Sequence, residues 1–583
     1  MVRVVPDVAG IAREFDYLVP ERHEAAVDVG TIVRIDLNGR RIGGWVVAVD
    51  VAPPPGIELR PLARVTGHGP PADLVDLTRW AAWRWAGARR HLLKVASPPG
   101  RVTALPSGPR EIRTAPGTGA DASPQVVAAL THERAVARVA PASDRLPLVL
   151  AALRSMPADR EGLVLCPSVG EADALAVRLG RAGLPTVSVA HARPGRAAAA
   201  AWARAAAGGV HVVGARAGAW APVPRLGRVV VLDEHAEAYQ EEAAPTWNAR
   251  DVAVERARRA GVRALLVSPV PSLEALHWGV LEAPSRGDER RGWPHVEVVD
   301  RRIEDPTAGL VTDPLVRMLR SEGRIVCVVN RTGRSRLAAC DRCREIVACT
   351  VCEGALAQPA DDLLRCTRCG VERPVVCAHC GGTRLRVLRP GVARLRDEIA
   401  ALVREDVDEV TGASTEPPTS RVVVGTEAAL HRVGSATGVA FLDFDQELQA
   451  PRIRGREQAM ALLVRAARLV RSRSGHGRVL VQTRRPDDLV VEAAVHADPS
   501  RFSTDEDARR RDMGLPPHRV EAVVSGPSAP AFVEALGRPI GVDVAGGGGA
   551  WLLQAADHAT LCDALAAVPR PPGRLRIEVD ARR

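Results

Sequence analysis

From about residue 125 to 485, short β-branched runs alternate with helix-length amphipathic stretches. The runs at 162–166, 211–213, 228–232, 264–267, 325–329, 422–424 and 439–442 predict strands, and helices are predicted at 171–181, 250–259 and 456–471. This alternation is the βαβ pattern of parallel sheets, and the spacing fits two α/β lobes. Residues 1–65 read differently. Short strands at 31–35 and 45–49, separated by Gly and Pro turns, predict a small β-rich domain, and a helix is predicted over 72–94. The stretch 98–125 is rich in Pro, Gly, Ala and Ser, which marks a linker. Composition changes again near Pro486, and the last hundred residues alternate strands and helices in an α+β manner.

Composition adds limits. A chain of 583 residues with 46% hydrophobic and 25% charged positions has the profile of a soluble globular protein of several domains. Disorder throughout, collagen and small disulfide scaffolds are excluded. No uncharged apolar run reaches membrane-spanning length, and Asp7 and Arg13 interrupt the place of a signal core, so a cytoplasmic protein without membrane attachment is expected. The formal charge of +10 points to polyanionic partners, nucleic acid first among them. Lys94 is the only lysine. Chemistry that needs a lysine must therefore use that residue or do without.

The cysteines are more specific. Eight of the eleven form four C-x-x-C pairs: Cys340/Cys343, Cys349/Cys352, Cys366/Cys369 and Cys377/Cys380. In a cytoplasmic chain such pairs are metal ligands, because each turn aims two thiolates at one tetrahedral zinc and a second turn closes the site. Eight thiolates predict two structural Zn²⁺. Gly370 and Gly381, directly after two of the pairs, suit the positive-φ position of a zinc knuckle. A closed four-cysteine site has no open coordination position and is not catalytic.

Further strings carry a resemblance. Phe15-Asp16-Tyr17-Leu18-Val19-Pro20, then Gly30-Thr31-Ile32-Val33-Arg34-Ile35, then the paired cysteines inside the second α/β lobe, resemble the PriA family of primosomal replication-restart helicases. Matches at Val213-Gly214-Ala215-Arg216-Ala217, Ala249-Arg250-Asp251-Val252, Val424-Gly425-Thr426 and Val481-Gln482-Thr483 extend it over most of the chain. The resemblance implies an α/β fold of two RecA-like helicase lobes with parallel sheets. It adds an N-terminal β-rich DNA-binding domain, an inserted two-zinc module and a C-terminal α+β domain. The implied boundaries are 1–97 for the 3′-DNA-end-binding domain, 98–125 for a linker, 126–300 for lobe 1, 301–337 with 390–485 for lobe 2, 338–389 for the zinc module and 486–583 for the C-terminal domain. The linker is too short for the family's winged helix. By the same resemblance Phe15, Asp16, Tyr17, Gly39 and Arg60 line a pocket for a leading-strand 3′ end. Cys340, Cys343, Cys377 and Cys380 hold one zinc, and Cys349, Cys352, Cys366 and Cys369 the other. His191 aligns with a family histidine.

The motor motifs depart from the family. A P-loop needs glycines, a lysine and a Mg²⁺-binding hydroxyl, whereas the corresponding segment reads Arg138-Val139-Ala140-Pro141-Ala142-Ser143-Asp144-Arg145. The family's D-E-E-H becomes Leu232-Asp233-Glu234-His235, and a shift of one residue would leave Asp233 and Glu234 as a metal-and-base pair. The late arginine motif keeps Arg465, Arg468 and Arg471 without its glutamine and glycines; these three read either as a phosphate-contacting ridge or as a solvated helix face. The resemblance and its departures together predict a monomeric, nucleoid-associated protein that binds abandoned replication forks. It would work with single-stranded DNA-binding protein and the helicase-loading machinery, without a catalytic residue and with no support for ATP and Mg²⁺ as cofactors. The alternative is an active ATP-dependent 3′–5′ DNA helicase with a divergent nucleotide site.

Overall fold

The structure is a computed structural model. It describes all residues except 12, 53–57, 108–111, 113–121, 191–194, 303, 305–308, 330–337, 344, 346, 352–355, 361–362, 367–369, 388–391, 451, 471–474 and 581–583. His191, Cys352, Cys369, Arg471 and residues 108–111 and 113–121 of the predicted linker lie outside the described residues. The chain divides into two compact units: Met1–Arg138 with Asp144–Ala283 and Arg509–Ala581, and Val139–Ser143 with Pro284–Ala508.

The first unit begins with a five-stranded antiparallel sheet ordered Phe15–Tyr17, Val2–Pro6, Arg40–Val49, Ile32–Leu37, Arg64–Gly67. Alternation sends Val2, Val4, Tyr17, Val33, Ile35 and Val46 into one apolar cluster, with Phe15 packed against it. Val5 and Trp45 join Val75 and Leu93 from the helices Ala72–Arg84 and Arg89–Ala96 in a second cluster. The predicted helix over 72–94 is therefore two helices. The break follows from Ala86 at φ 42° and from Gly87, where a Cβ would come within 2.3 Å of Pro245 Cβ.

Next comes a seven-stranded parallel sheet ordered Val280–Glu282, Arg134–Arg138, Arg263–Ser268, Leu226–Leu232, Glu161–Leu165, His211–Gly214, Thr186–Ser188. Its central strands are buried on both faces, which explains their unbroken Val/Leu sequences. The unit closes with the antiparallel sheet Val542–Gly547, Ala550–Ala555, Val520–Ser525, Arg576–Val579 and the helices Ala529–Leu536 and His558–Ala567. One apolar cluster runs from Leu74 and Trp85 through Val229 and Trp247 to Phe532 and Leu561, so this sheet shares the first unit's core.

The second unit is built on a six-stranded parallel sheet ordered His295–Asp300, Arg478–Thr483, Gly438–Phe441, Ile325–Val328, Val422–Gly425, Val407–Val410. The cysteine-rich segment follows Ile325–Val328 and precedes the helix Val392–Val403, as an insertion in this α/β lobe. Among the described residues it contributes the small antiparallel pairings Ala338–Cys340 with Leu385–Val387 and Leu356–Ala360 with Leu363–Cys366 and Glu372–Pro374. Among the described residues no helix is long and apolar enough to cross a membrane.

Candidate functional site

In the N-terminal sheet, antiparallel register sets Arg3 directly opposite Asp16, Val4 opposite Phe15 and Val2 opposite Tyr17. Directly opposed side chains share a face, so Asp16 and Arg3 stand on one face while Phe15 and Tyr17 turn to the apolar cluster on the other. Arg3 Nε and Nη2 donate to the two Asp16 carboxylate oxygens at 2.8 and 3.1 Å. Tyr17 donates its hydroxyl to the Asp36 carbonyl at 3.3 Å. Burial pushes the Tyr17 phenol up, and the positive charge of Arg60 opposes the shift. Gly39 and Asn38 both have positive φ, 77° and 48°, and form the two-residue turn that joins Ile32–Leu37 to Arg40–Val49. Arg60 is exposed, and its carbonyl accepts from Leu18 N–H at 3.0 Å. Tyr17, the hairpin of Gly39 and Arg60 are thus neighbours, and Asp16 faces away from the rings that flank it in sequence.

A P-loop would connect the strand Arg134–Arg138 to the helix Leu146–Arg154, and the departures seen in the sequence have structural consequences there. Ala142 N–H is given to the Gly292 carbonyl at 3.2 Å and Ser143 N–H to the Ala140 carbonyl at 3.0 Å, so these amides are not turned to a phosphate. At the helix start, Asp144 Oδ1 accepts from Leu146 N–H at 3.1 Å and the carboxylate pairs with Arg178 at 2.6 and 2.9 Å. The Arg178 hydrogen bond lowers the Asp144 pKa, so a protein anion sits at the helix N-terminus.

The acidic pair is equally engaged. Asp233 follows the strand Leu226–Leu232 at φ 50°, is 3% exposed as a side chain, and receives Arg145 Nη2 at 2.7 Å. Glu234 is fully buried and accepts from Ser272 N–H at 2.7 Å, Ser272 Oγ at 2.8 Å and Arg250 Nη1 at 3.1 Å. Burial raises its pKa against these contacts. The one-residue shift that would make Asp233 and Glu234 a Mg²⁺ and base pair therefore meets two carboxylates already bound by arginines. A cation held at Asp233 would have to displace a guanidinium from a site with little access to water. The residues present do not fit ATP with Mg²⁺.

The cysteine segment fits a metal. The thiols of Cys340, Cys343, Cys377 and Cys380 all lie within 4.8 Å of one another, with Cys340 Sγ to Cys380 Sγ and Cys343 Sγ to Cys377 Sγ each 3.5 Å. Tetrahedral zinc with sulfur at about 2.3 Å needs sulfurs about 3.8 Å apart, so this cluster could hold a metal ion. Gly370 and Gly381 have φ 76° and 72°, and their N–H groups return to the Cys366 and Cys377 carbonyls at 3.1 and 2.9 Å. Backbone amides of Cys343 and Arg342 pull the Cys340 thiol down to about 6. Cys343, despite an amide hydrogen bond from Glu345, is pushed up to about 12 by burial and the facing thiols. Cys349 and Cys366 are buried together in an apolar cluster with Val347, Leu356 and Leu364, while Cys352 and Cys369 are outside the described residues.

Residues 3–98 match the family described as the 3′DNA-binding domain (3′BD) of PriA. The protein named probable replication restart protein PriA from Mycobacterium tuberculosis is 29% identical, over 91% of this chain and 88% of that protein. Over most of its length the chain is similar to proteins of the PriA family. Replication restart protein PriA from Bacillus subtilis is 26% identical over 54% of this chain and 43% of its own length. A solved structure of Saccharomyces cerevisiae Dbp5 bound to RNA and ADP BeF3 aligns with a TM-score of 0.37 at 10% identity, covering 67% of this chain and 93% of that one.

Two residues of the chain carry no motif and escape a reading of the sequence. Arg145 belongs to the degraded P-loop segment, but its partner Asp233 lies 88 positions away. Arg3 is the partner of Asp16, 13 positions away. The only sequence signal for Arg3 is a charged residue inside the apolar run Val2–Pro6.

Proposed function

We propose that this protein is a fork-recognition platform. It binds the leading-strand 3′ end at an abandoned replication fork and recruits the machinery that loads the replicative helicase, without ATP-driven unwinding. The observation that carries this reading is the ion pair of Arg145 with the buried Asp233, which puts a protein cation where a working motor needs an open metal site. The match to a 3′ DNA-binding domain supports the recognition step. The relatives' shared name, replication restart protein, supports the setting.

Asp16 accepts a hydrogen bond from the hydroxyl of the 3′ end, Arg60 meets a phosphate, and Phe15, Tyr17 and Gly39 set the shape of the surrounding strands and hairpin. Cys340, Cys343, Cys377 and Cys380 hold one structural zinc; Cys349, Cys352, Cys366 and Cys369 hold a second. The module then presents a rigid surface for single-stranded DNA-binding protein and the loader. An active helicase is the weaker reading, because both acids it would use are committed to Arg145 and Arg250.

The test is fluorescence anisotropy of the zinc-loaded chain on two forks that differ only in whether a 3′ hydroxyl stands at the branch. Tighter binding of the end-bearing fork, lost in Asp16→Ala, is expected; equal binding of both forks would overturn the recognition step.

A further inference from the structure

The Asp16 carboxylate poses an electrostatic difficulty for the reading above, on which this inference rests. A DNA terminus brings phosphates with it, and an uncompensated carboxylate repels them. Arg3 resolves the conflict in the folded chain. Two parallel N–H···O bonds at 2.8 and 3.1 Å join it to both Asp16 oxygens, the fork geometry in which a guanidinium matches a carboxylate. A carboxylate has about four lone-pair sites, so two remain for a hydroxyl donor. The pair is formally neutral, yet Asp16 keeps its capacity to accept.

Exposure adds a second constraint. The Asp16 side chain is 12% exposed and that of Arg3 41%, so Asp16 is the more covered member of the pair and Arg3 forms part of its surroundings at the surface. Other acids near the strand also have cations: Glu14 is paired with Arg89 at 2.8 Å and Asp7 with Arg90 at 3.3 Å. Arg13 lies over the Phe15 ring at 4.9 Å.

We propose that Arg3 is a positioning residue of the 3′-end site: it cancels the charge of Asp16, orients its carboxylate and allows a polyanionic terminus to approach it. Arg3 acts through Asp16, and its contribution vanishes when Asp16 carries no charge.

A double-mutant cycle on the full-length zinc-loaded chain tests this, read by anisotropy on a fork with a 3′ hydroxyl at the branch and on the same fork lacking that strand. Arg3→Gln is expected to weaken the end-bearing fork about tenfold and the other fork less than about twofold. In an Asp16→Asn background Arg3→Gln is expected to have no further effect. Arg3→Lys, which keeps the charge with one donor contact, should fall between Arg3→Gln and the unmodified chain. Wild-type binding by Arg3→Gln, equal losses on both forks, or losses that add in the double variant would each overturn the proposal. If Arg3→Gln disrupts the N-terminal sheet by circular dichroism, Arg3→Lys decides: a selective loss on the end-bearing fork supports the proposal, and unchanged end preference overturns it. If the unmodified chain binds both forks alike and Asp16→Asn changes nothing, the end-site reading itself has failed and the role of Arg3 with it.

Discussion

Arg145 and Asp233 form an ion pair of 2.7 Å in which the acid is 3% exposed and the arginine 15% exposed as side chains. An ion pair this well covered contributes little net stability over an apolar pair, but removing one member leaves an unpaired charge at a cost of about 3 kcal/mol or more. Asp233→Ala should therefore lower the urea midpoint clearly, and an unchanged midpoint would mean that the pair is not formed. Millimolar ATP with Mg²⁺ should leave the melting temperature of the unmodified chain unchanged, since only a ligand of the folded state stabilises it. A rise of several degrees would show that the folded chain binds the nucleotide.

Metal content checks the cysteine assignment. We expect two zinc ions per chain by elemental analysis, one in Cys377→Ser and one in Cys349→Ser. A strong chelator should increase proteolysis within 338–389, because a site of this kind folds with its metal. A Cys377→Ser chain that retains two zincs would contradict the grouping of the outer pairs.

Acid should weaken the first unit through Asp580. Burial opposes its ionisation, yet Arg84 and His558 hold its carboxyl far below the usual carboxylate range, with Arg84 Nη2 at 2.5 Å and His558 Nε2 at 3.0 Å. The folded value lies below the unfolded one, so the stabilisation is complete above the ordinary Asp pKa of about 3.9 and is lost as pH falls below it. Asp580→Asn should be less stable than the unmodified chain at pH 7, with the difference shrinking towards pH 3. A difference that is constant over that interval would rule out this ion-pair account.

The arginine-rich helix Gly455–Val470 bears on DNA contact. Arg465 and Arg468 are half-buried, and Arg465 Nε donates to the Leu430 carbonyl at 3.2 Å, which ties Arg465 to the protein. Arg465→Ala should cost about 1 kcal/mol of stability and leave the salt dependence of fork binding unchanged. A salt slope reduced by about one would instead make Arg465 a phosphate contact.

What was legible in the sequence was what local pattern determines. The run 228–232 lies within the strand Leu226–Leu232, and 250–259 within the helix Ala249–Ala260, because continuous burial and helical periodicity are written residue by residue. Gly370 and Gly381 were legible because a metal-binding turn demands positive φ immediately after its second cysteine. The break at Ala86–Gly87 was not, since it depends on packing against Pro245, which is remote in sequence. The partners of Asp16 and Asp233 were hidden for the same reason: strand register and sheet order bring Arg3 and Arg145 to them, and no motif spacing encodes either.

The most direct measurement is ATP hydrolysis by the zinc-loaded chain, with and without a fork carrying a leading-strand 3′ end, in a preparation whose fork binding is measured in parallel. The account predicts fork binding with no turnover above a no-enzyme control. Turnover stimulated by the fork and abolished by Asp233→Ala with Glu234→Ala would contradict it and make the chain a divergent helicase.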